Sequence, residues 1–202
     1  GFYEKHFGNG ECLGIKISYV AQDSPNGIPG AILKAGKLFE GHSLFVVLGD
    51  NFLFGPGLSD KLKFDIERNN AQIYSYLVRN PKPFGVIEYD AQGRCVGIVE
   101  KPSKPRSNWI SIGSYYFPND IFEKLEEVKA GKNNESQIVD VLNIYLGRNR
   151  LDTVKLGRGY VWYDLGSFET LFEAANFVRA VQNGQGYRIA DPFEIAKLRG
   201  LI

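Results

Sequence analysis

The stretch Leu44-Phe45-Val46-Val47-Leu48-Gly49-Asp50-Asn51 constrains the fold more than any other part of this chain. Its five consecutive apolar residues read as a strand buried on both faces, as in a parallel or mixed sheet. The run stops at Gly49 and a carboxylate follows at once. Ligands of open α/β sheets bind in the crevice beyond the carboxyl ends of the strands, so Asp50 is expected at that rim. A carboxylate there suits Mg²⁺, which takes one or two carboxylates and fills its shell with phosphate oxygens and water. Asp50 would serve equally to cap a turn or a helix start, and the stretch alone leaves both readings open.

A second stretch repeats the pattern. Gly159-Tyr160-Val161-Trp162-Tyr163-Asp164-Leu165-Gly166 reads as a short strand ending in a carboxylate. Ser167 then caps a helix whose apolar stripe is Leu171, Ala174, Ala175, Val178 and Val181. If the two strands lie in one sheet and run the same way, Asp50 and Asp164 converge. Helix capping is the plainer role for Asp164, and core packing is the plainer role for Trp162.

The rest of the chain supplies a scaffold. Residues 1–14 suggest a short helix and a glycine turn, and Ile15, Ile17 and Tyr19 alternate with polar residues as in a strand. Turn formers fill 22–30, and 31–39 reads as a helix. A loop follows Asp50, then a helix on Leu58, Leu62 and Ile66 ending near Asn69-Asn70. A strand over 73–78 precedes a hairpin, 84–89 and 96–101, whose turn uses Gly93 for a positive φ. The hairpin ends in Glu100-Lys101-Pro102. That pair is either a solvated surface pair of little worth or a carboxylate for sugar hydroxyls beside an ammonium for a phosphate. Trp109 to Phe117 is a strand in which Gly113 admits a close neighbour. Asn119 is placed to cap a helix to about Lys129, residues 131–135 are polar and expected to be mobile, and Ile138, Val141, Leu142, Tyr145 and Leu146 repeat at helical spacing.

Composition narrows the function classes. The 202 residues carry 44% hydrophobic and 23% charged side chains, as in an ordinary globular protein. A net charge of +1 gives no basic field for nucleic acid. No apolar run reaches the length of a membrane span. Cys12 and Cys95 form no disulfide framework or metal spacing and fit a reducing cytoplasm, where the protein is expected. His6 and His42 have no catalytic neighbours. The chain opens on Gly1 and contains no Met, so it is expected to be a piece of a longer frame.

Taken together, the motifs resemble the sugar-phosphate nucleotidyltransferases. The resemblance rests on Leu48-Gly49-Asp50-Asn51, Phe84-Gly85-Val86-Ile87-Glu88, Val99-Glu100-Lys101-Pro102, Ile112-Gly113-Ser114-Tyr115-Tyr116-Phe117 and Gly159 to Gly166, in that order and spacing. Gln22 to Gly27 resembles that family's base-binding loop, and residues 135–146 and Glu173 to Phe177 resemble it too. Each motif is weak alone; their order over nearly the whole chain is specific. The nearest branch is the one that joins glucose 1-phosphate to dTTP.

The resemblance implies one α/β domain over residues 1–202, a Rossmann-like nucleotidyltransferase fold with a mixed central sheet flanked by helices, cut short at both ends. It implies a Mg²⁺-dependent transferase whose partners are a nucleoside triphosphate and a sugar 1-phosphate, with homo-oligomers among its relatives. Asp50 and Asp164 would be the catalytic pair that holds Mg²⁺. Gln22 and Gly27 would contact the base, and Gly85, Glu100, Lys101, Ile112 and Trp162 would line the sugar-phosphate side. The chain departs from the family in lacking the first strand and the loop G-G-x-G-T-R-L-x-P with its following lysine. Pro29-Gly30 replaces a Gln-containing turn, and Leu165 stands where close relatives carry Thr. These departures predict an inactive chain, and leave a non-catalytic binding paralogue and a cytidylyl-, uridylyl- or adenylyltransferase as alternatives.

Overall fold

The computed structural model describes the chain except Glu40, Phe64, Ile66, residues 129–135 and the Lys37 side chain. In chain order the elements are α1 (Phe2–Phe7), α2 (Gly27–Ala35), β1 (Leu44–Val47), β2 (Asn51–Phe54), α3 (Leu58–Lys61), β3 (Ala71–Leu77), β4 (Gly85–Tyr89) and β5 (Cys95–Glu100). They continue with β6 (Trp109–Phe117), α4 (Ile121–Glu127), α5 (Ile138–Gly147), β7 (Leu151–Lys155), β8 (Val161–Asp164), α6 (Phe168–Gln185) and α7 (Pro192–Leu198). The chain forms two compact units, Gln22–Leu165 and a second made of Gly1–Ala21 with Gly166–Ile202.

In the larger unit, the described residues build a mixed sheet in the order β5-β4-β6-β3-β7, and β1 pairs with the second half of β6. β3 and β7 are parallel; the other pairs are antiparallel. Helices α2, α4 and α5 cover one face through Ile32, Ile121, Leu125, Val141, Leu142 and Tyr145, packed on Ile73, Ile87 and Phe117. The α5 residues recur at helical spacing, so one stripe enters the core, where each large apolar side chain contributes about 1.5–3 kcal/mol. The second core, Tyr74, Val86, Ile110, Ile112 and Leu156, packs against Leu53, Tyr160 and Trp162 of the antiparallel β2–β8 ribbon and the turn before it. This mixed α/β architecture matches the expected class.

Several local expectations change. β1 is not buried on both faces: Leu44 and Val46 pack against the helical core, whereas Phe45 and Val47, which alternate with them, are 38% and 57% exposed. Residues 51–54, expected as a loop, form β2, since β8 offers its backbone a partner. Helix α2 starts at Gly27 rather than Ala31; a proline in a first helical turn forfeits no intrahelical bond. The described helix after Leu58 ends at Lys61, and Ile66 lies outside the described residues, as do Lys129 and the polar stretch 131–135. β7 was not anticipated. Asp120, not Asn119, occupies the N-cap of α4.

In the smaller unit, Ile15 to Tyr19 forms no strand. The Ile15 and Ile17 N–H groups donate to the Gly10 and Asn9 carbonyls, and the Tyr19 hydroxyl donates to Gly8 O at 2.8 Å. The backbone is satisfied by a turn, so the alternating pattern has no ladder to join. Ser167 caps α6 as expected, its Oγ accepting from Thr170 N at 3.1 Å. Asp191 caps α7.

In the larger unit, Asp120 spends its carboxylate on tertiary contacts rather than on α4. Oδ2 accepts from Arg150 Nη1 at 2.6 Å and Oδ1 from the Tyr145 hydroxyl at 2.9 Å. Arg150 also donates to Asn69 O. Burial works to raise the Asp120 pKa, but the hydrogen bonds from Arg150 and Tyr145 and the charges of Arg150 and Lys124 outweigh it and hold the group below its ordinary value. Asp120→Asn is expected to cost about 1.5–3 kcal/mol at pH 7, the range for hydrogen bonds to a charged group. Because the folded pKa is the lower one, the stabilisation is complete above the unfolded value near pH 4 and is lost as pH falls through the folded value. Urea unfolding of both proteins should therefore show a gap at pH 7 that closes well below roughly pH 4; a gap unchanged in acid would rule out an ionic origin.

Candidate active site

The two strand-associated aspartates reach one cavity by way of an antiparallel strand pair. In the β2–β8 ribbon Asn51 lies opposite Asp164 and Leu53 opposite Trp162. Asp50 immediately precedes β2, and its carbonyl accepts from Leu165 N at 2.7 Å. Asp50 thus stands at the start of one strand and Asp164 at the end of its neighbour. The condition set for their convergence, two strands of one sheet running the same way, is not met: β1, which leads to Asp50, pairs with β6 in the larger sheet, and β8, which ends at Asp164, pairs with β2 in a separate ribbon. Antiparallel strands bring the start of one to the end of the other, and both aspartates line one cavity of about 270 Å³.

Asn51 links this corner to the main sheet. Its Oδ1 accepts from Trp162 Nε1 at 2.7 Å and from Gly113 N at 3.2 Å, and its Nδ2 donates to Asp50 Oδ1 at 2.9 Å. One amide therefore sets Asp50, the Trp162 ring and the backbone of β6. Gly113 also accepts from Leu48 N at 2.8 Å. A Cβ at Gly113 would lie 2.8 Å from Leu48 side-chain atoms, so the close neighbour anticipated there is Leu48.

The hairpin supplies the opposite wall. Gly85 faces Glu100 directly across β4 and β5. A Cβ at Gly85 would stand 3.2 Å from Glu100 Oε2 and from Val139 Cγ2, so its absence keeps the space over Glu100 open. Successive strand residues normally face opposite ways. Lys101, however, has φ +43°, rare for a residue with a Cβ, and at this bend Glu100 and Lys101 both line the cavity. Their Nζ–Oε1 distance is 3.7 Å. The Lys101 N–H donates to Phe84 O at 3.0 Å and holds the bend.

Seven of the nine residues singled out from the sequence line this cavity: Asp50, Asp164, Gly27, Gly85, Glu100, Lys101 and Trp162. Ile112 does not. It is 1% exposed and packs in the second core, because period-two alternation along β6 sends Ile110 and Ile112 to the core and Ser111 and Gly113 to the cavity. That alternation was readable in Ile110-Ser111-Ile112-Gly113, and it places Ser111 where Ile112 was expected. Asn51 was also missed; its adjacency to Asp50 carried the only signal.

Gln22 lines an adjoining, mostly apolar cavity of about 770 Å³ between α2 and β1, which shares Gly27, Ile28 and Leu48 with the first. Its Nε2 donates to Asn26 Oδ1 at 2.5 Å and to Gly27 O at 3.2 Å. With both amide hydrogens engaged, Oε1 is left as an acceptor. Gly27 has φ +82°, the conformation that brings its carbonyl into this turn at low cost.

The smaller cavity is acidic. Asp50, Glu100 and Asp164 line it, and Lys101 is the one cation among the described lining residues. Burial pushes the Tyr115 hydroxyl up to about 12, opposed by Ser111 and aided by the charges of Glu100 and Asp50. Among the described residues no three His, Cys, Asp or Glu side chains gather as a metal cage. Asp50 and Asp164 on one cavity are a donor set that fits Mg²⁺ completed by phosphate oxygens and water.

Comparison with known proteins gives the family. Residues 2–181 match the family model for nucleotidyl transferases. The chain is 36% identical to the glucose-1-phosphate thymidylyltransferase of Mycobacterium tuberculosis (strain H37Rv) over 99% of its own length and 69% of that protein. It is 37% identical to the enzyme of the same name from Neisseria meningitidis over 98% of the chain and 69% of that protein. Among solved structures, a Bacillus anthracis chain provisionally assigned as glucose-1-phosphate thymidylyltransferase, in complex with sucrose, superposes with TM-score 0.82 at 25% identity, covering 96% of this chain and 75% of that one. A UDP-glucose pyrophosphorylase complexed with UDP-glucose superposes with TM-score 0.68 at 30% identity, covering 79% of this chain and 64% of that one. With the family model matched over residues 2–181 and relatives of 36–37% identity along almost the whole chain, the chain belongs to the nucleotidyl transferase family.

Proposed function

We propose that these residues form the substrate site of a glucose-1-phosphate thymidylyltransferase. A phosphate oxygen of glucose 1-phosphate attacks the α-phosphorus of dTTP; the bond from that phosphorus to the bridging oxygen of the β-phosphate breaks; dTDP-glucose forms and pyrophosphate leaves with the electron pair. The single observation that carries the reading is one small acidic cavity holding Asp50, Asp164, Gly85, Glu100 and Lys101 together, next to an apolar cavity entered by Gln22.

The chemistry of each group supports it. Glu100, beside the bare Gly85, accepts hydrogen bonds from sugar hydroxyls. Lys101 holds the phosphate attached to that sugar. Gln22 presents an acceptor, which suits the N3–H of thymine or uracil and not the unprotonated N3 of cytosine. Asp50 and Asp164 hold Mg²⁺, which when bound neutralises phosphate charge. Asn51 keeps Asp50 from turning away. Three carboxylates around one ammonium repel phosphates until a cation joins them, so nucleotide binding should depend on Mg²⁺. Asp50→Asn and Asp164→Asn should each remove at least tenfold of the gain in dTTP affinity that Mg²⁺ confers, read by calorimetry with and without the metal. An undiminished gain in both variants would overturn the assignment of the metal to this pair.

The sugar side has its own test. Glu100→Ala is expected to weaken dTDP-glucose binding by about 1.5–3 kcal/mol, and Gly85→Ala to act in the same direction, because its methyl presses on the Glu100 carboxylate. Unchanged affinity in both would return Glu100-Lys101 to a solvated surface pair.

The 202 residues on their own are proposed to bind without turning over. Transfer between two polyanions needs preorganised cations, and G-G-x-G-T-R-L-x-P is not found in this sequence. Loss of one arginine that stabilises phosphoryl transfer costs on the order of 10³–10⁵ in rate. Pyrophosphate release from dTTP and glucose 1-phosphate, run beside the Mycobacterium tuberculosis relative, should be slower by at least that factor while dTDP-glucose still binds. Comparable turnover would overturn the inactivity, and absence of binding would overturn the substrate assignment.

A further inference from the structure

We propose a second ligand site at the far end of the β4–β5 hairpin: a small aromatic phosphate, of nucleoside-monophosphate size, lays its flat ring against Trp109 and its phosphate on Lys155 and Arg106. The Gly85–Glu100 pair borders the acidic cavity, and the Tyr89–Cys95 pair lies at the other end of the same two strands. Trp109, Lys155 and Arg106 line a cavity of about 450 Å³ there, which shares no described lining residue with the acidic one. The proposal does not depend on the sugar-phosphate reading.

The starting point is a lysine held by rings. Lys155 Nζ stands 3.6 Å from the centre of the Tyr89 ring and 5.4 Å from that of Trp109. Among the described residues it makes no ion pair and no hydrogen bond. Ring faces attract an ammonium without neutralising it, so Lys155 is placed in advance and keeps its charge for a ligand. The rings are themselves fixed. The Tyr89 hydroxyl donates to Ser75 Oγ at 3.0 Å, Trp109 meets Tyr89 edge to face with ring centres 6.2 Å apart, and the Trp109 backbone N–H donates to Ser107 Oγ at 3.0 Å.

The second observation is a bulge at this cavity. Glu88 pairs with Gly97 but Tyr89 with Cys95, so Val96 is an extra residue in β5. Bulges re-aim side chains and gather next to functional sites; here Glu88 and Tyr89, neighbours in one strand, both line the cavity. The two carboxylates of the lining are already balanced. Asp90 accepts from Arg94 Nε and Nη2 at 2.8 Å each and from the Gln92 and Arg94 N–H groups. Glu88 has Arg106 Nη1 at 3.8 Å, which offsets its charge but is too long for a hydrogen bond, so the Arg106 donors stay open to a ligand. The charge of Lys155 is left over. A phosphate matches a guanidinium fork beside an ammonium, and a flat ring matches the indole.

The test titrates adenosine 5′-monophosphate, adenosine and inorganic phosphate into the 202-residue chain by calorimetry, with EDTA present so that Asp50 and Asp164 hold no metal. The monophosphate should bind at one site, about tenfold or more tighter than adenosine or phosphate alone. Lys155→Gln should weaken the monophosphate by about tenfold and leave adenosine unchanged, and Lys155→Arg should recover most of the loss. Arg106→Gln, at an exposed position, should weaken it too and keeps the test open if Lys155→Gln fails to fold. Asp50→Asn and Glu100→Ala should bind the monophosphate as the wild type does. The proposal is overturned if millimolar monophosphate gives no saturable binding, if adenosine binds as tightly, or if folded Lys155→Gln or Arg106→Gln binds the monophosphate as the wild type does. Loss of binding in Asp50→Asn or Glu100→Ala also overturns it, because the nucleotide then sits in the acidic cavity.

Discussion

The junction of Gly113, Leu48 and Asn51 fixes the site. Gly113 has no side chain, and Leu48 fills the space a Cβ would take. Its carbonyl receives the Leu48 N–H and its own N–H reaches Asn51 Oδ1. Three contacts at one residue of β6 thus tie the end of β1 and the start of β2 to the main sheet. Asn51 passes the constraint on to Asp50 and Trp162. Such chains of satisfied polar groups rigidify what they join, because a broken member leaves its buried neighbours unpaired.

From this junction the division of labour follows. The ribbon brings acidic groups from one side and the hairpin brings Glu100 and Lys101 from the other. Both depend on glycine: Gly85 leaves room beside Glu100, and Gly113 lets Leu48 approach. The left-handed backbone of Lys101 does a related task with a residue that is not glycine, and strain of this sort collects at binding sites because the surrounding hydrogen bonds hold it. Here the holding bond is Lys101 N–H to Phe84 O.

The cavity's charge explains why protein groups alone make a poor phosphate site. Among the described lining residues carboxylates outnumber the single ammonium, a balance that on the proposed reading calls for a divalent cation before a phosphate can bind. The adjoining cavity, with Gln22 among its lining residues, is mostly apolar. The two adjoin through Gly27, Ile28 and Leu48, which is the arrangement the proposed nucleotide-sugar reading calls for. Among the described residues no helix is long and apolar enough to cross a membrane.

The amino-acid sequence by itself determined the class of fold and most of the site. Long-range order and spacing of short motifs survive in a linear string, so Asp50, Asp164, Gly85, Glu100, Lys101 and Gly27 could be named and were found on one cavity. The hairpin was legible because Gly93 and the flanking alternation are local signals, and α5 and α6 because their apolar stripes and the Ser167 cap are local too. Facing and partnership were decided by tertiary structure. Whether β1 was buried on one face or two depended on what packed against it, and Ile15 to Tyr19 stayed irregular because turn carbonyls took its N–H groups. The alternation Ile110-Ser111-Ile112-Gly113 was legible in the sequence, but that its polar side faces the cavity and Ile112 the core was settled by how β6 sits in the sheet. The sequence reading made convergence of the aspartates conditional on their strands sharing one sheet and one direction; the structure brings both to one cavity through the unforeseen β2, paired antiparallel with β8, because pairing is a property of the assembled backbone and not of either strand's sequence.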